Sequence, residues 1–343
     1  MKIRNTIHII VGAIMMMQLS CSRDHLYYEA VTNSRVKLNI DWSQTAFSPD
    51  SRYYDARNRL NGVTIFAFDS ASHRLVTELP PDANWQSPQL SLAPGTYDLI
   101  VINDSRAELP AINFDNALTF DDFRAYIDVD TVYSENPDYL TVSAVRNVSI
   151  TQSHNGYFYD RPDDYLNDTI TQEISTVQRP VTKKINLRVN VKGINYCRGM
   201  QPSFMTGLAK SVNLATATPE KESVVFAFNL INREYRDTEY TEALLTQSFN
   251  CFSFNEENLK AGNKFEITLN FVLVDNSIYT VKADVTPQFE KWLEQHTIDC
   301  ELDLDIDVDL EVTLPPTEPA TPEAEGLVPE TIPWNDITQN ITL

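Results

Sequence analysis

The sequence predicts an all-β protein made of two tandem antiparallel β-sandwich domains with few short helices. Three observations carry this. Apolar residues alternate with polar ones through VKLNIDW (36–42), KKINLRVNV (183–191) and CELDLDIDVDLEVTL (300–314), and that period places successive side chains on opposite faces of a strand. Turn-forming residues punctuate these runs. At 343 residues the chain has ample length for two ordinary domains.

Taken in order, 36–42 is the first strand, with Val36, Leu38, Ile40 and Trp42 on one face and Lys37, Asn39 and Asp41 on the other. GVTIFAFD (62–69) is apolar at both parities, so both its faces are expected to be covered. In LSLAPGTYDLIVIND (90–104), Pro94-Gly95 suits a type II turn, and residues 88–104 read as a hairpin arm, a turn and a central strand. Thr119, followed by Asp121, Asp122 and Phe123, has the form of a short capped helix. Strand character returns at 140–151 and again at 171–193, on either side of a polar, Tyr-rich loop at 152–168. The domain boundary is placed near Pro180, giving an N-terminal sandwich over 36–180 and a C-terminal one over 181–343. Strands are expected near 223–231, 249–254, 264–274 and 278–285. Thr286-Pro287 then supplies a capping hydroxyl and a proline at the first helical position. The alternating run 300–314 is followed by a segment with six prolines (315–333) and a terminal strand candidate (334–343).

The amino terminus has the layout of a secretory signal peptide over 1–20: Lys2 and Arg4, an apolar run from Ile7 to Leu19, then Ser20 before Cys21. A cysteine at that point resembles the lipobox of bacterial lipoproteins, with Gln18 where that motif favours Leu. The resemblance implies acylation of Cys21, a lipidated lead over 21–35 and anchoring by more than one acyl chain. An ordinary signal peptide followed by a chance cysteine is the alternative. No later run approaches the ~18 apolar residues of a membrane-spanning helix.

Formal net charge is −21, and loss of residues 1–20 removes two cations and leaves −23. Such a surface repels nucleic acid and anionic membrane. Cys197, Cys251 and Cys300 match no zinc spacing and read as small buried hydrophobes, with a single bridge as the alternative. The acidic face of 301–311 does not read as a calcium site: alternate strand residues stand roughly 6.5–7 Å apart, whereas calcium gathers its oxygens from a curved loop. Lys184, Arg188 and Lys192 form the matching basic row, so 184–192 and 301–311 are expected to be sheet neighbours with their charged faces toward solvent. His25, His73, His154 and His296 have no paired spacing, and no nucleophile elbow, phosphate loop or dinucleotide motif occurs. The reading is non-enzymatic, with no catalytic residue, metal or cofactor. YFYDRPDDY (157–165) reads either as a packed loop or as a carbohydrate-stacking platform.

Taken together, Cys21, the strand ending IDW (40–42), LAPGTYDLIVIND (92–104), the strand and VKG at 185–193 and the terminal WNDITQNITL resemble fimbrillin-like lipoproteins, the subunits of type V pili and their relatives. That resemblance implies transthyretin-like, Greek-key sandwiches, lipidation at the outer membrane and assembly by β-strand addition with other fimbrial subunits. It implies a role as fimbrial anchor or accessory subunit, Arg35 as a processing site, and Trp334, Ile337, Ile341 and Leu343 as apolar positions of a strand-exchange segment or of the chain's own last strand. A glycan or host ligand is a further partner on this reading. The alternative function is an outer-membrane glycan-binding lipoprotein of a polysaccharide-uptake system, with Tyr157 and Tyr159 as stacking residues.

Overall fold

A computed structural model describes residues 34–56, 58–82, 84–129, 132–133, 136–151, 172–230, 232–252, 259, 262, 264–295 and 301–310. The first half contributes β1 (Ser34–Asp41), β2 (Val63–Asp69), β3 (Leu75–Asp82), β4 (Gln89–Leu92), β5 (Gly95–Asn103), β6 (Asn113–Asp115), β7 (Arg124–Tyr126), β8 (Val132–Tyr133), β9 (Thr141–Ile150), β10 (Gln172–Val177) and β11 (Arg179–Pro180). The second contributes β12 (Lys183–Lys192), β13 (Cys197–Ala209), β14 (Ser211–Asn213), β15 (Thr218–Pro219), β16 (Ser223–Phe228), β17 (Asn232–Tyr235), β18 (Glu242–Cys251), β19 (Glu266–Leu273), β20 (Ile278–Asp284), helix α1 (Thr286–Gln295) and β21 (Glu301–Asp309). The protein is all-β, as its alternating runs require.

In the first half, a sheet ordered β10-β1-β4 faces a sheet ordered β11-β9-β5-β2-β3. Val36, Leu38, Ile65, Ala67, Leu99 and Val101 fill the space between them. The opposite face of β2 and β5 carries Phe66, Phe68, Ile100 and Ile102, buried in a second cluster with Leu109, Phe120 and Phe123. Phe66 meets Phe123 edge-on at 4.7 Å between centroids. β2 is therefore covered on both faces, which is why its sequence is apolar at both parities.

In the second half, a sheet ordered β17-β18-β12-β21 is joined through one core to a sheet ordered β20-β19-β13-β16-β8. Ile185, Leu187 and Val189 from β12, Leu304 and Ile306 from β21, and Leu269 and Phe271 from β19 belong to that core. A small sheet, β15-β14-β7-β6, ties the halves: Tyr126 of β7 lies opposite Ser211 of β14. β8 likewise runs parallel to β16, with Val132 opposite Val225. Most strand pairs are antiparallel, and β1–β10, β12–β21 and β8–β16 are the parallel ones named among the described residues.

Several local expectations are corrected. Residues 88–104 are not a hairpin: β4 pairs with β1 while β5 pairs with β2 and β9, so the Pro94 corner carries the chain from one sheet to the other. Nor is it a type II turn, since Gly95 is not among the residues with positive φ. A Cβ at Gly95 would come within 3.3 Å of the Tyr97 ring, whose hydroxyl donates to Ala93 O at 2.9 Å and braces the corner. The segment at Thr119–Phe123 is a turn, not a helix. Phe120 and Phe123 both plunge into the core, Phe120 N donates to His73 O at 2.8 Å, and the chain goes straight into β7. The strand expected at 249–254 is β18, which begins at Glu242.

β13 was not anticipated. Its sequence, CRGMQPSFMTGLA, holds two glycines and a proline and has no clean alternation. Register shifts between Cys197 and Gly199, Gln201 and Phe204, and Met205 and Leu208 absorb these residues as bulges. The start of α1 at Thr286 agrees with the sequence. Its hydroxyl, however, accepts from Phe265 N at 2.9 Å, and Asp284 takes Thr286 N at 3.0 Å.

Candidate functional site

The strand addition expected from the resemblance would need a sheet position that a strand can fill, and β1 fills the centre of its own sheet. It is the middle strand of its sheet, parallel to β10 and antiparallel to β4. Val36 and Leu38 are fully buried and Ile40 nearly so. At about 1.5–3 kcal/mol for each buried aliphatic side chain, these three contribute roughly 5–9 kcal/mol to holding β1 in place. Beyond β4, the backbone of β1 continues to pair: Leu38 N donates to Pro88 O at 3.0 Å and Ile40 N to Gln86 O at 3.1 Å.

Two latches close the far end of this strand. Trp42 meets Phe47 and Trp85 edge-on, each at 5.6 Å, and its Nε1 donates to Trp85 O at 3.3 Å. Gln178 is fully buried; its backbone N donates to Asp41 O at 2.9 Å and its Nε2 to Val101 O at 3.2 Å. The amide thus ties β1 to the facing sheet. Nothing in the local sequence marks Gln178, because its role depends on partners far away in the chain. On the outer face, Lys37 lies 3.7 Å from Glu173, and Asn39 Nδ2 donates to Glu173 at 2.9 Å.

Of the sequence-predicted site residues, Arg35 lies within β1, opposite Ser91, rather than ahead of the strand. Cys21, the terminal positions Trp334, Ile337, Ile341 and Leu343, and the loop tyrosines Tyr157 and Tyr159 lie outside the described residues.

The expected pairing of the basic and acidic rows is present. β12 and β21 are parallel neighbours with Lys184 opposite Glu301, Arg188 opposite Asp305 and Lys192 opposite Asp309. Arg188 makes a two-point contact with Asp305, both bonds at 2.8 Å, and Lys184 reaches Glu301 at 3.3 Å. Asn186 and Asn190 donate to Asp303 and Asp307 at 3.0 and 2.9 Å, which relieves the carboxylates that have no cation opposite. These exposed pairs each contribute about 0.2–1 kcal/mol, so they set register more than stability. The outer edge of β21 is partly covered: the Gln288 amide of α1 bonds both N and O of Asp305, each at 2.9 Å, in place of a neighbouring strand.

Cys197 and Cys251 are buried, and burial pushes the Cys197 thiol up. Among the described residues no group of three or more His, Cys, Asp or Glu is placed to hold a metal ion. His73 sits between Asp98 and Asp121, at 3.5 and 3.3 Å. Asp98 also accepts from Ser70 Oγ and Asn147 N, each at 2.7 Å, in a cluster that pins the β2–β3 turn to β5 and β9.

The carboxylates predict the response to acid. Hydroxyl hydrogen bonds hold Asp69, Asp237, Asp275 and Asp284 below the usual range, and the Arg124 guanidinium does so for Asp115. A depressed folded-state pKa contributes stability that is present above the unfolded value, about 3.9 for Asp, and is lost as pH falls below it. Burial raises Asp104 and Asp138, which contributes the opposite sign: stability gained as pH falls toward 3.9. The expected profile of melting temperature is nearly flat or slightly rising as pH drops from about 6 to 4, then steeply falling below about 4. A series of thermal melts across that range checks it.

No family model matches the chain, and no curated protein matches it in sequence. Solved structures do match. A candidate adhesin of Bacteroides ovatus is similar with a TM-score of 0.51 and 18% identity, over 86% of this chain and 98% of that one. A candidate adhesin of Bacteroides thetaiotaomicron has a TM-score of 0.55 at 9% identity, over 81% and 92%. A candidate polysaccharide-binding protein of the same species has a TM-score of 0.50 at 11% identity, over 80% and 90%. At these identities the likeness is one of fold, and the chain shares over most of its length the fold of these Bacteroides proteins.

Proposed function

We propose that this chain is a non-enzymatic, cell-surface adhesion protein, held at the outer membrane by acyl chains on Cys21 and acting as an anchor or accessory subunit of a fimbrium. The observation that carries the reading is β1. It fills the centre of its own sheet with fully buried side chains, so the chain in this state has no vacancy there for a neighbour's strand. A subunit with that position filled terminates a chain of strand exchanges, as a base or accessory subunit must. The likeness of fold to candidate Bacteroides adhesins supports a surface role.

Cleavage at Arg35 would release the lipid yet leave Val36, Leu38 and Ile40 in the sheet. Opening the position would require a cut after β1, in the 43–62 connection that holds Arg52, Arg57 and Arg59. The terminal segment carries Ile337, Ile341 and Leu343 at one parity, the pattern of a strand able to add to another sheet. The two sandwiches are taken as units divided near Pro180 and tied by the β7–β14 and β8–β16 pairings.

Intact-mass analysis of the protein extracted from cell envelopes tests the reading. The expected species begins at acylated Cys21. A lipid-free species beginning after Arg52, Arg57 or Arg59 would overturn the anchor role and identify a polymerising subunit.

A further inference from the structure

The junction between the two sandwiches encloses a cavity of about 330 Å³ that the strand-addition reading does not use. Its size lies at the lower end of the roughly 300–1,000 Å³ of small-molecule sites, and suits one ring rather than an extended chain. Both halves build it. The 46–58 connection contributes Tyr53, Asp55 and Asn58, the stretch before β9 contributes Asn136 and Tyr139, and the β12–β18–β21 sheet contributes Lys184, Asn250 and Glu301.

We infer that this cavity binds one uncharged pyranose ring, either a free sugar or the end of a glycan. The first argument is the set of polar groups. The side-chain amides of Asn58 and Asn136 have no hydrogen-bond partner among the described residues and line the cavity. Asn250 gives one Nδ2 hydrogen to Pro137 O at 3.0 Å, which leaves its second N–H and its Oδ1. Amides that donate and accept side by side match the vicinal hydroxyls of a sugar, each of which also does both.

The second argument is rigidity beside aromatic surface. Tyr139 is braced edge-on by Phe47 at 5.2 Å, and its hydroxyl accepts Ala46 N at 3.0 Å. Tyr53 adds further aromatic lining, whereas the Phe249 ring is turned into the core against Phe226 and Phe228. An aromatic ring offers the flat apolar surface against which the C–H face of a pyranose packs. The third argument is charge. Among the described lining residues the one cation, Lys184, is already paired with Glu301 at 3.3 Å, and the remaining charged group, Asp55, is a carboxylate with bonds of its own, so no cation is left for an acidic ligand. A carboxylated sugar would be repelled, and a purely apolar ligand would strand the amides without partners.

This inference is independent of strand addition, and its readout is separate from the envelope mass. Calorimetric titration of the full-length chain in detergent would use the methyl glycosides of glucose, galactose, mannose and N-acetylglucosamine, with glucuronic acid for comparison. The expected result is binding of at least one neutral glycoside with a Kd near or below about 1 mM, weakened at least about tenfold by Asn58→Ala with Asn136→Ala. Neither amide supports another group among the described residues, so the variant is expected to melt like the parent; if it does not, Asn136→Ala alone, at an exposed position, repeats the test. An oligosaccharide ending in the same sugar separates the sources: tighter binding identifies a glycan end, equal binding a free sugar. Absence of binding by every neutral glycoside up to about 20 mM, equal or tighter binding of glucuronic acid, or affinity unchanged in the variant would each overturn the assignment.

Discussion

Replacing Leu38 by alanine is expected to lower the free energy of unfolding by about 2–5 kcal/mol, the range for deleting a fully buried leucine from a packed core. Leu38 is wholly buried on β1, between the two sheets of the first sandwich. The spread depends on how far neighbours collapse into the space left behind. Collapse is restricted here, because β1 is held by strands on both sides and closed by Trp42 and Gln178. Lys37→Ala, one residue away on the outer face, removes an exposed ion pair and should cost under about 1 kcal/mol. Urea unfolding of both variants checks the contrast. The midpoint should drop for Leu38→Ala with little change in slope. A loss below about 1 kcal/mol for Leu38→Ala would mean that β1 is a loosely held strand, and the filled-position argument for an anchor would fail with it.

Gly207→Ala is expected to cost about 2–5 kcal/mol, from two sources. Gly207 has φ of +85°, in the region that side chains with a Cβ reach only at a cost of roughly 1–2 kcal/mol. A Cβ there would also stand 2.6 Å from Cδ1 of Phe265 and 3.0 Å from Lys264 O. Phe265 has no room to withdraw: it is fully buried and stacked on Phe289 of α1 at 4.5 Å. Overpacking of that kind adds about 1–3 kcal/mol. Gly262 is the internal control. Its φ is +81°, but a Cβ would meet nothing within 4 Å, so Gly262→Ala should show the conformational cost alone. Thermal melts of the two variants measure the difference. Equal losses would show that the Phe265 contact relaxes freely.

The legible part of this protein was the faces of its strands. In β1, β12 and β21 the inward and outward residues follow from alternation alone, because successive side chains on a strand point to opposite sides whatever the strand pairs with. Charge patterning went one step further, since a basic row and an acidic row of the same period identified β12 and β21 as neighbours. Local chemistry is ambiguous at three places in this chain. The Pro94 corner has the residues of a hairpin turn, yet its two arms enter different sheets. Phe120 and Phe123 sit behind good capping residues, yet both are drawn into the core covering Phe66 and Phe68. β13 conceals its strand character because three register shifts break its alternation.

Sequence by itself determined the all-β class, the faces of the alternating strands and the start of α1, all properties of residues close together in the chain. Only the tertiary structure decided that β1 lies between β4 and β10, that Gln178 latches it, that β7 and β8 pair across the two halves, and that Asn58, Asn136 and Asn250 line one cavity. Periodicity states which way a side chain points and is silent on what it meets. Those meetings join residues tens to hundreds of positions apart, and they are settled by which sheets can bury both faces at once.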